Sequence, residues 1–321
     1  MGEQERELET LLAQELQLFE DEYDRHYLPG ETKPHDIGRP YLLRHPAART
    51  GVLLVHGLMA APEEVRQLAD FIHAQGYTVY APRMAGHGTS ALDLAQRSPA
   101  EWIASVERGH AILQCCCERI VAAGFSTGAA VMLQQVIQHP NAYAGLISIS
   151  APLKFKKFSA RFARPLATWN RWCQAAGLPQ LALPFATNHA DNPHINYLRC
   201  PVRSIAQIQQ LMRSLYRGLP GVTIPALVIH ADEDPKVDVQ SGRDIHARLG
   251  SANKHYREIA FRQHGIVRGD IARQVFAEVG AFLRALPDEP GQNHQASACE
   301  AIPARPAAMP ARQYQSGLQQ Q

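Results

Sequence analysis

Short apolar runs alternate with longer amphipathic segments from about residue 51 onward. Runs of this length fit strands that are buried on both faces, whereas the amphipathic segments have helical spacing. Six segments are predicted as strands: GVLLVHG, YTVYAP, RIVAAGFS, AGLISIS, PALVIHA and HYREIAF. Strands that alternate with helices predict an α/β fold with a doubly wound, mostly parallel sheet.

Helix signals occupy the intervals between these strands. Ser98 is an N-cap candidate, Pro99 suits the first helical position, and Glu101 completes a capping box. This helix is SPAEWIASVERGHAILQCCCE, and TGAAVMLQQVIQ predicts another. Further helices are predicted over about 62–75, 240–249 and 270–286.

Three regions depart from the alternation and predict the domain organisation. Residues 1–48 form an amphipathic helix, over 1–24, and a connecting segment that ends in a short strand near YLLRHP. Residues 49–151 and 222–286 form the core, and 152–221 are too long for a loop, which favours an inserted helical cap. The Pro-rich residues 287–321 lack periodicity, and we expect disorder there.

Composition is ordinary for a globular protein of 321 residues, with 45% hydrophobic and 19% charged residues. A formal net charge of +2 gives nucleic acid no support as a partner. The sequence has no apolar stretch of about 18 residues, as a spanning helix requires, and its acidic N-terminus does not resemble a secretory signal. The six cysteines offer no C-x-x-C zinc pair, so reduced thiols and a cytoplasmic location are expected, with regulatory oxidation or palmitoylation of the triple cysteine 115–117 as the alternative.

The motif GFSTG, from Gly124 to Gly128, lies between a predicted strand and a predicted helix. A serine on such a sharp turn is pushed out of the sheet at a helix N-terminus, where the dipole favours negative charge. A chance glycine-rich turn is the alternative. In this context, Ser126 is predicted to be a nucleophile.

The motif HGLM after the first buried strand predicts the oxyanion hole. Gly57 lets the chain bend without a side chain, so we assign the hole to the backbone N–H groups of Leu58 and Thr127. His56 lies at a strand end, and His87 lies in the loop after the second strand. Both histidines are interpreted as structural.

The general base is expected after the last strand, in the order nucleophile, acid, base. His264, in FRQHGIVRG, follows the last predicted strand and precedes the last helix, unlike His255 and His294. It requires a carboxylate to fix its tautomer. The sequence DEDPKVD after the penultimate strand supplies candidates.

Asp234 is the predicted acid within that cluster, because the following Pro235 restricts its backbone. Asp232 and Asp238 are the competitors, which we interpret as turn formers. A calcium loop would need D-x-D-x-D-G and a distal Glu, and the cluster lacks this pattern. No metal is therefore expected, and acyl transfer by a serine, histidine and aspartate requires no organic cofactor.

These motifs together resemble bacterial carboxylesterases related to monoacylglycerol lipases, within the α/β-hydrolase superfamily. The resemblance covers roughly residues 50–285 and is carried by LLVHGLMAAPEEVRQLADFIHAQGYTVYAPRMAGHGTS, SPAEWIASVERGHAIL, VAAGFSTGAA, ISAPL and VIHADEDPKVD. It implies a nucleophile at Ser126, an acid at Asp234, a base at His264 and oxyanion donors at Leu58 and Thr127. The base stands in QHG where the family often has S-G-H.

The expected activity is hydrolysis of small-molecule carboxylic esters with short to medium acyl chains, including monoacylglycerols, through an acyl-enzyme on Ser126. A thioesterase, an acyltransferase or a peptidase using the same triad is the alternative, and a non-catalytic binding protein is a third. Residues 153–172 interleave basic and aromatic side chains, so contact with a lipid surface or an anionic acyl carrier competes with a solvated basic face. The oligomeric state is left open.

Overall fold

A computed structural model describes residues 2–156 and 162–287. The strands in this part of the chain, in order, are β1 (Tyr41–Leu43), β2 (Thr50–Val55), β3 (Thr78–Ala81), β4 (Arg119–Phe125), β5 (Gly145–Ile149), β6 (Phe185–Thr187), β7 (Arg199–Pro201), β8 (Ala226–Ala231) and β9 (Lys254–Ile259). Seven of them form one sheet in the order β1-β3-β2-β4-β5-β8-β9. β1 pairs antiparallel with β3, and the other neighbours are parallel.

Helices connect these strands and cover the sheet. They are α1 (Glu3–His26), α2 (His35–Gly38), α3 (Arg66–Ala74), α4 (Ala91–Gln96), α5 (Pro99–Gln114), α6 (Thr127–Gln138), α7 (Ala163–Ala175), α8 (Val202–Gly218), α9 (Gln240–Arg248) and α10 (Ala272–Ala285). Among the helices that the described residues form, none is both long and apolar enough to cross a membrane.

Alternate residues of each central strand face opposite layers, since successive side chains of a strand point to opposite faces. In β2, Val52 and Leu54 belong to the core beneath α3 and α10. Leu53 and Val55 belong to the core beneath α5 and α6. Burial on both faces explains the uninterrupted apolar runs of the sequence, and the predicted α/β fold with a doubly wound, mostly parallel sheet is confirmed.

Several predicted elements differ from the structure in detail. The predicted helix over 62–75 begins as a 3₁₀ turn, Pro62–Val65, before α3. The capping box of α5 is present, with Ser98 N–H donating to Glu101 Oε2 at 2.8 Å. α4 was not predicted, because its six residues are too short for a helical periodicity to be read.

The region predicted as a helical cap is inserted between β5 and β8. It contains α7 and α8, and also an antiparallel pair formed by β6 and β7, which the prediction did not include. The domain boundaries stay predictions, and the disorder predicted for 287–321 falls, beyond Pro287, outside the described residues.

The N-terminal helix α1 is bound to the core by buried charge pairs. Glu22 contacts Arg83 at 2.5 Å and Arg97 at 3.0 Å, and Glu15 accepts a hydrogen bond from Arg108. Phe19 is fully buried between these pairs. The helix therefore packs as part of the folded core.

Candidate active site

Ser126 occupies the sharp turn between β4 and α6. Its backbone has φ 54° and ψ −120°. A positive φ of this kind is rare for residues other than glycine. Such a residue costs on the order of 1–3 kcal/mol and persists only when its surroundings fix it. Here the N–H of Ser126 donates to the carbonyl of Ile149 at 2.8 Å, which ties the turn to β5.

The two flanking glycines permit this turn because neighbouring backbone approaches them closely. A Cβ on Gly128 would lie 2.3 Å from the carbonyl oxygens of Val55 and His56, and one on Gly124 would lie 2.6 Å from Ala129 N. Neither position can hold a side chain without displacing the backbone. The G-x-S-x-G spacing thus follows from close packing of strand and helix.

The structure brings the three predicted triad residues together. His264 Nε2 lies 2.8 Å from Ser126 Oγ, and His264 Nδ1 lies 2.5 Å from Asp234 Oδ2. A carboxylate can only accept, so Nδ1 carries the proton and Nε2 is left to accept from the serine hydroxyl. The Phe125 ring packs against the imidazole with centroids 5.0 Å apart and limits its rotation.

Asp234 is fully buried, yet it is stabilised as a carboxylate. Burial alone would raise its pKa, but the charge and hydrogen bond of His264 and the backbone N–H groups of Val237 and Lys236 hold the pKa below its ordinary value. Both N–H groups donate to Oδ1, at 2.9 and 2.8 Å, which leaves Oδ2 for the histidine. The two carboxylate oxygens therefore contact different partners, Oδ1 the loop backbone and Oδ2 the imidazole.

The neighbouring acids have other contacts. Asp232 Oδ1 accepts from Phe261 N at 2.9 Å, and Asp238 Oδ1 accepts from Gln240 N at 3.0 Å. Both bonds close loops at the carboxyl edge of the sheet. Within residues 2–156 and 162–287, no group of three or more His, Cys, Asp or Glu side chains is arranged to hold a metal ion.

The predicted oxyanion donors line the same cavity as Ser126 and His264. Leu58 and Thr127 both contribute to its wall. Thr127 is the first residue of α6, so its N–H has no acceptor within the helix. Met59, next to Leu58, has φ 63°, so the loop after β2 adopts the left-handed conformation at this residue.

The rings of His56 and His87 are hydrogen-bonded to backbone groups inside the core, as expected for structural residues. Both are fully buried, and burial lowers the pKa of His56 to about 4. His56 Nδ1 donates to the carbonyl of Gly57 at 2.9 Å, and its Nε2 accepts from Met84 N at 3.2 Å. His87 Nδ1 contacts the carbonyls of Met84 and Ala85, so both rings brace the loop after β3.

Glu64 is a cavity residue that the sequence analysis did not identify. It is buried, and its Oε2 accepts from the N–H of Gly57 at 2.7 Å. Burial raises its pKa, against the lowering effect of that N–H, of His264 and of Asn196. No pattern distinguishes it from Glu63 in APEEV, because only the 3₁₀ turn decides which side chain points inward.

The insertion lines the cavity and contacts the loops that carry Asp234 and His264. Asp191 Oδ2 accepts from the N–H of Gly265 at 3.0 Å and lies 3.6 Å from Lys236 Nζ. The cavity measures about 410 Å³. Its apolar wall includes Phe155, Leu166, Val202, Ile205 and Ile208, and its polar wall includes Glu64, Asn188, Asp191, Asn192 and Asn196.

Leu58, Ser126, Asp234 and His264 lie at the carboxyl ends of parallel strands, on the loops that follow β2, β4, β8 and β9 respectively. A serine elbow, then an aspartate after the penultimate strand and a histidine after the last strand, in this chain order, place the fold among the α/β-hydrolases of the serine hydrolase class. Comparison with known proteins agrees. The chain belongs to the Hydrolase_4 family, described as serine aminopeptidase, S33, whose model matches residues 46–270.

Characterised relatives are similar over most of the chain. A thermostable monoacylglycerol lipase of Bacillus sp. (strain H-257) is 30% identical over 207 residues, which cover 64% of this chain and 78% of the relative. A carboxylesterase of Bacillus subtilis (strain 168) is 22% identical over 236 residues, which cover 73% and 92%. The predicted class, a carboxylesterase and monoacylglycerol-lipase-like serine hydrolase, is therefore confirmed.

Solved structures support the fold. A structure from work on the metagenome-derived lipolytic enzymes LipS and LipT superposes with a TM-score of 0.67 at 25% identity, covering 80% of this chain and 99% of the other. The monoacylglycerol lipase of Paleococcus ferrophilus gives a TM-score of 0.64 at 18% identity, covering 76% and 97%.

Proposed function

We propose that this protein hydrolyses carboxylic esters through an acyl-enzyme on Ser126, with His264 as general base, Asp234 as its carboxylate partner and the N–H groups of Leu58 and Thr127 as oxyanion donors. The observation that carries the proposal is the continuous hydrogen-bonded chain from Ser126 Oγ through His264 to Asp234. The substrates are esters with a short to medium acyl chain and a small polar alcohol, including monoacylglycerols.

The mechanism follows from these contacts. Ser126 Oγ attacks the ester carbonyl while His264 Nε2 takes its proton, and Asp234 stabilises the imidazolium that results. The carbonyl oxygen becomes an oxyanion that accepts from Leu58 N and Thr127 N. His264 then protonates the leaving alcohol, and a water, deprotonated by His264 in turn, releases the acid.

The shape of the cavity supports the substrate class. Its volume of about 410 Å³ lies within the range of small-molecule sites, roughly 300–1,000 Å³. The apolar wall from the insertion suits an acyl chain, while Glu64 and Asn196 offer hydrogen-bonding partners to alcohol hydroxyls. The monoacylglycerol lipase relative, whose substrate would have both parts, agrees with this division.

A fluorophosphonate probe tests the nucleophile, since it reacts with an activated serine. We expect labelling of the wild-type protein and loss of both labelling and ester hydrolysis in Ser126→Ala. Ser214→Ala, which removes an exposed hydroxyl on α8, is the matched control and should label normally. Labelling that persists in Ser126→Ala, or a wild-type protein that is not labelled, would refute the proposal.

A substrate panel tests the acyl and alcohol preferences. We expect p-nitrophenyl esters of short and medium chain length, and the corresponding monoacylglycerols, to be turned over faster than long-chain esters, acyl-CoA or aminoacyl p-nitroanilides. Faster turnover of acyl-CoA or anilides would replace the proposal by the thioesterase, acyltransferase or peptidase alternative. The cytoplasmic location and the contact of the insertion with a lipid surface stay predictions.

A further inference from the structure

A second cavity, of about 550 Å³, lies beside the catalytic one, between α7, α8 and the segment Leu153–Lys156. Nine residues of the described part of the chain line it, and four of these are cations: Lys154, Arg164, Arg213 and Arg217. Its apolar surface comes from Leu153, Phe155 and Met212. Among residues 2–156 and 162–287, no acidic side chain lines it, and neither do Ser126, His264 and Asp234.

The positive charges of this cavity are poorly compensated. Lys154 Nζ lies 3.4 Å from Asp238. Across residues 2–156 and 162–287, no carboxylate lies within salt-bridge distance of Arg164, Arg213 or Arg217. Arg213 and Arg217 are four residues apart on α8, where like charges repel each other. A bound anion would relieve that repulsion.

The surrounding sequence concentrates this charge. The stretch from Arg119 to Ala231 contains eleven Lys and Arg residues and a single acid, Asp191, although the whole chain has a net charge of only +2. Asp191 is itself engaged by Gly265 and Lys236, away from the second cavity. The field at α7 and α8 is therefore positive, and it favours anionic ligands in solution.

The chemistry of the lining selects among anions. Guanidinium groups offer planar pairs of N–H donors that match phosphate oxygens, and three arginines with one lysine suit more than one negative charge. The cavity is also far larger than a single inorganic anion, and its apolar wall can contact the carbon part of a ligand. We propose that this cavity binds a phosphate-bearing organic ligand, at a site separate from the ester bound at Ser126.

The two cavities share a wall, so a ligand in the second cavity can affect the residues around the first. Phe155 lines both cavities. Its segment is paired with the loop that holds Asp234: Lys156 N donates to the Lys236 carbonyl at 3.1 Å, and Asp238 N donates to the Lys154 carbonyl at 3.0 Å. A ligand that orders Lys154 and Phe155 would also order this loop.

Isothermal titration calorimetry on the full chain tests the proposal, and Ser126→Ala can serve as the protein because the readout requires no turnover. The probes are inorganic pyrophosphate, coenzyme A, and vesicles of phosphatidylglycerol with phosphatidylcholine vesicles as the neutral control. We expect saturable binding of at least one phosphate probe, weakened tenfold or more in Arg213→Gln and in Arg217→Gln. Binding of coenzyme A or pyrophosphate identifies a free phosphate compound, and binding of phosphatidylglycerol alone identifies a lipid headgroup.

Arg203→Gln is the matched control, because Arg203 is an exposed cation on α8 outside the cavity lining. It should bind each probe within about twofold of the parent protein, and all three variants should keep the parent's thermal midpoint. Failure of every phosphate probe to bind, or equal weakening by Arg203→Gln, would overturn the proposal. Because binding is measured without catalysis, that failure is distinct from a failure of the ester hydrolase assignment.

Discussion

Asp234 and Asp232 lie two residues apart in the same loop, yet their surroundings give them different roles. Asp234 is fully buried with one oxygen on His264, whereas Asp232 accepts from the Phe261 backbone at the rim of the sheet. Both follow β8, so the pattern of the sequence places both near the site. Pro235 favours Asp234 in the sequence, and in the structure the direction of each side chain separates the two acids.

Asp234→Asn removes the carboxylate that fixes the tautomer of His264 and stabilises its imidazolium. We expect kcat for ester hydrolysis to fall by about 10³- to 10⁴-fold, with the fold retained. The measurement is steady-state hydrolysis of a p-nitrophenyl ester, with circular dichroism as a check of folding.

Asp232→Asn is the control for this change, because an amide oxygen can still accept from Phe261 N. Its kcat should remain within a few-fold of the wild-type value. A large loss of kcat in Asp232→Asn together with a normal Asp234→Asn would reassign the acid.

We propose that Glu64 positions the loop of Leu58, the proposed oxyanion donor, since Glu64 Oε2 accepts from the neighbouring Gly57 N. Glu64→Ala removes the acceptor and lets the loop shift. A shift of about 1 Å in a group that acts on the transition state can lower the rate by about 100-fold. We expect the loss in kcat, with KM little changed. Glu64→Gln keeps an acceptor oxygen of the same reach and should restore most of kcat; equal losses in both variants would contradict a positioning role.

At the scale of elements, the sequence predicts strands best where both faces of the sheet are buried. β2, β4, β5 and β8 are continuous apolar runs because the sheet is covered on both faces, and their ends lie within two residues of the predicted ones. The β6–β7 pair and the short α4 have no comparable signal. β6 is largely exposed, and α4 is shorter than two helical turns.

The docking of α1 on the core also lacks a local sequence signal. Its amphipathic pattern predicts the helix itself, but the charges that dock it to the core pair across long sequence distances. Glu22 meets Arg83 and Arg97, more than sixty residues away, and no local spacing indicates which of the acids of α1 turns inward. The contact belongs to tertiary structure.

Glu22→Gln tests the docking of α1. It leaves Arg83 buried without its carboxylate, a change that typically costs about 3 kcal/mol or more of the free energy of unfolding. The measurement is urea unfolding at pH 7. Glu118→Gln, at an exposed pair with Arg49, is the control and should leave the midpoint unchanged.

Acid should remove the same stabilisation from the wild-type protein. Burial alone would raise the pKa of Glu22, but Arg83 and Arg97 hold it below its ordinary value of 4.5. A lowered pKa in the folded state means that the stabilisation is complete above 4.5 and is lost as pH falls through the folded pKa. Wild type should therefore lose more stability than Glu22→Gln on acidification below pH 4.5; parallel losses would exclude Glu22 as the cause.

At the scale of the whole molecule, the active site is assembled from distant parts that the insertion holds together. Ser126 and His264 are 138 residues apart, and Asp191 of the insertion bonds to the loop of His264. The order of the three triad residues could be predicted because parallel strands end at one edge of the sheet. The path of the insertion over that edge depends on contacts that no periodicity encodes.

Tyr197 makes such contacts with the loop that follows β2 and carries Leu58 and Met59. Its N–H donates to the carbonyl of Met59, and its buried hydroxyl accepts from Thr89 N at 2.8 Å and donates to the Gly86 carbonyl at 3.0 Å. One side chain therefore joins the insertion to the loop after β3, and its backbone joins it to the loop after β2.

Tyr197→Phe removes only the hydroxyl and leaves two buried backbone groups without that partner, at a cost of about 1–3 kcal/mol. We expect a lower thermal midpoint and, because the backbone bond to Met59 remains, a smaller effect on kcat than on stability. Tyr27→Phe, at a half-exposed tyrosine of the connecting segment, controls for loss of a phenolic hydroxyl and should leave the midpoint unchanged. An unchanged thermal midpoint in Tyr197→Phe would show that the hydroxyl does not hold the insertion on the core. The contacts of Asp191 with Gly265 and Lys236 would then have to do so.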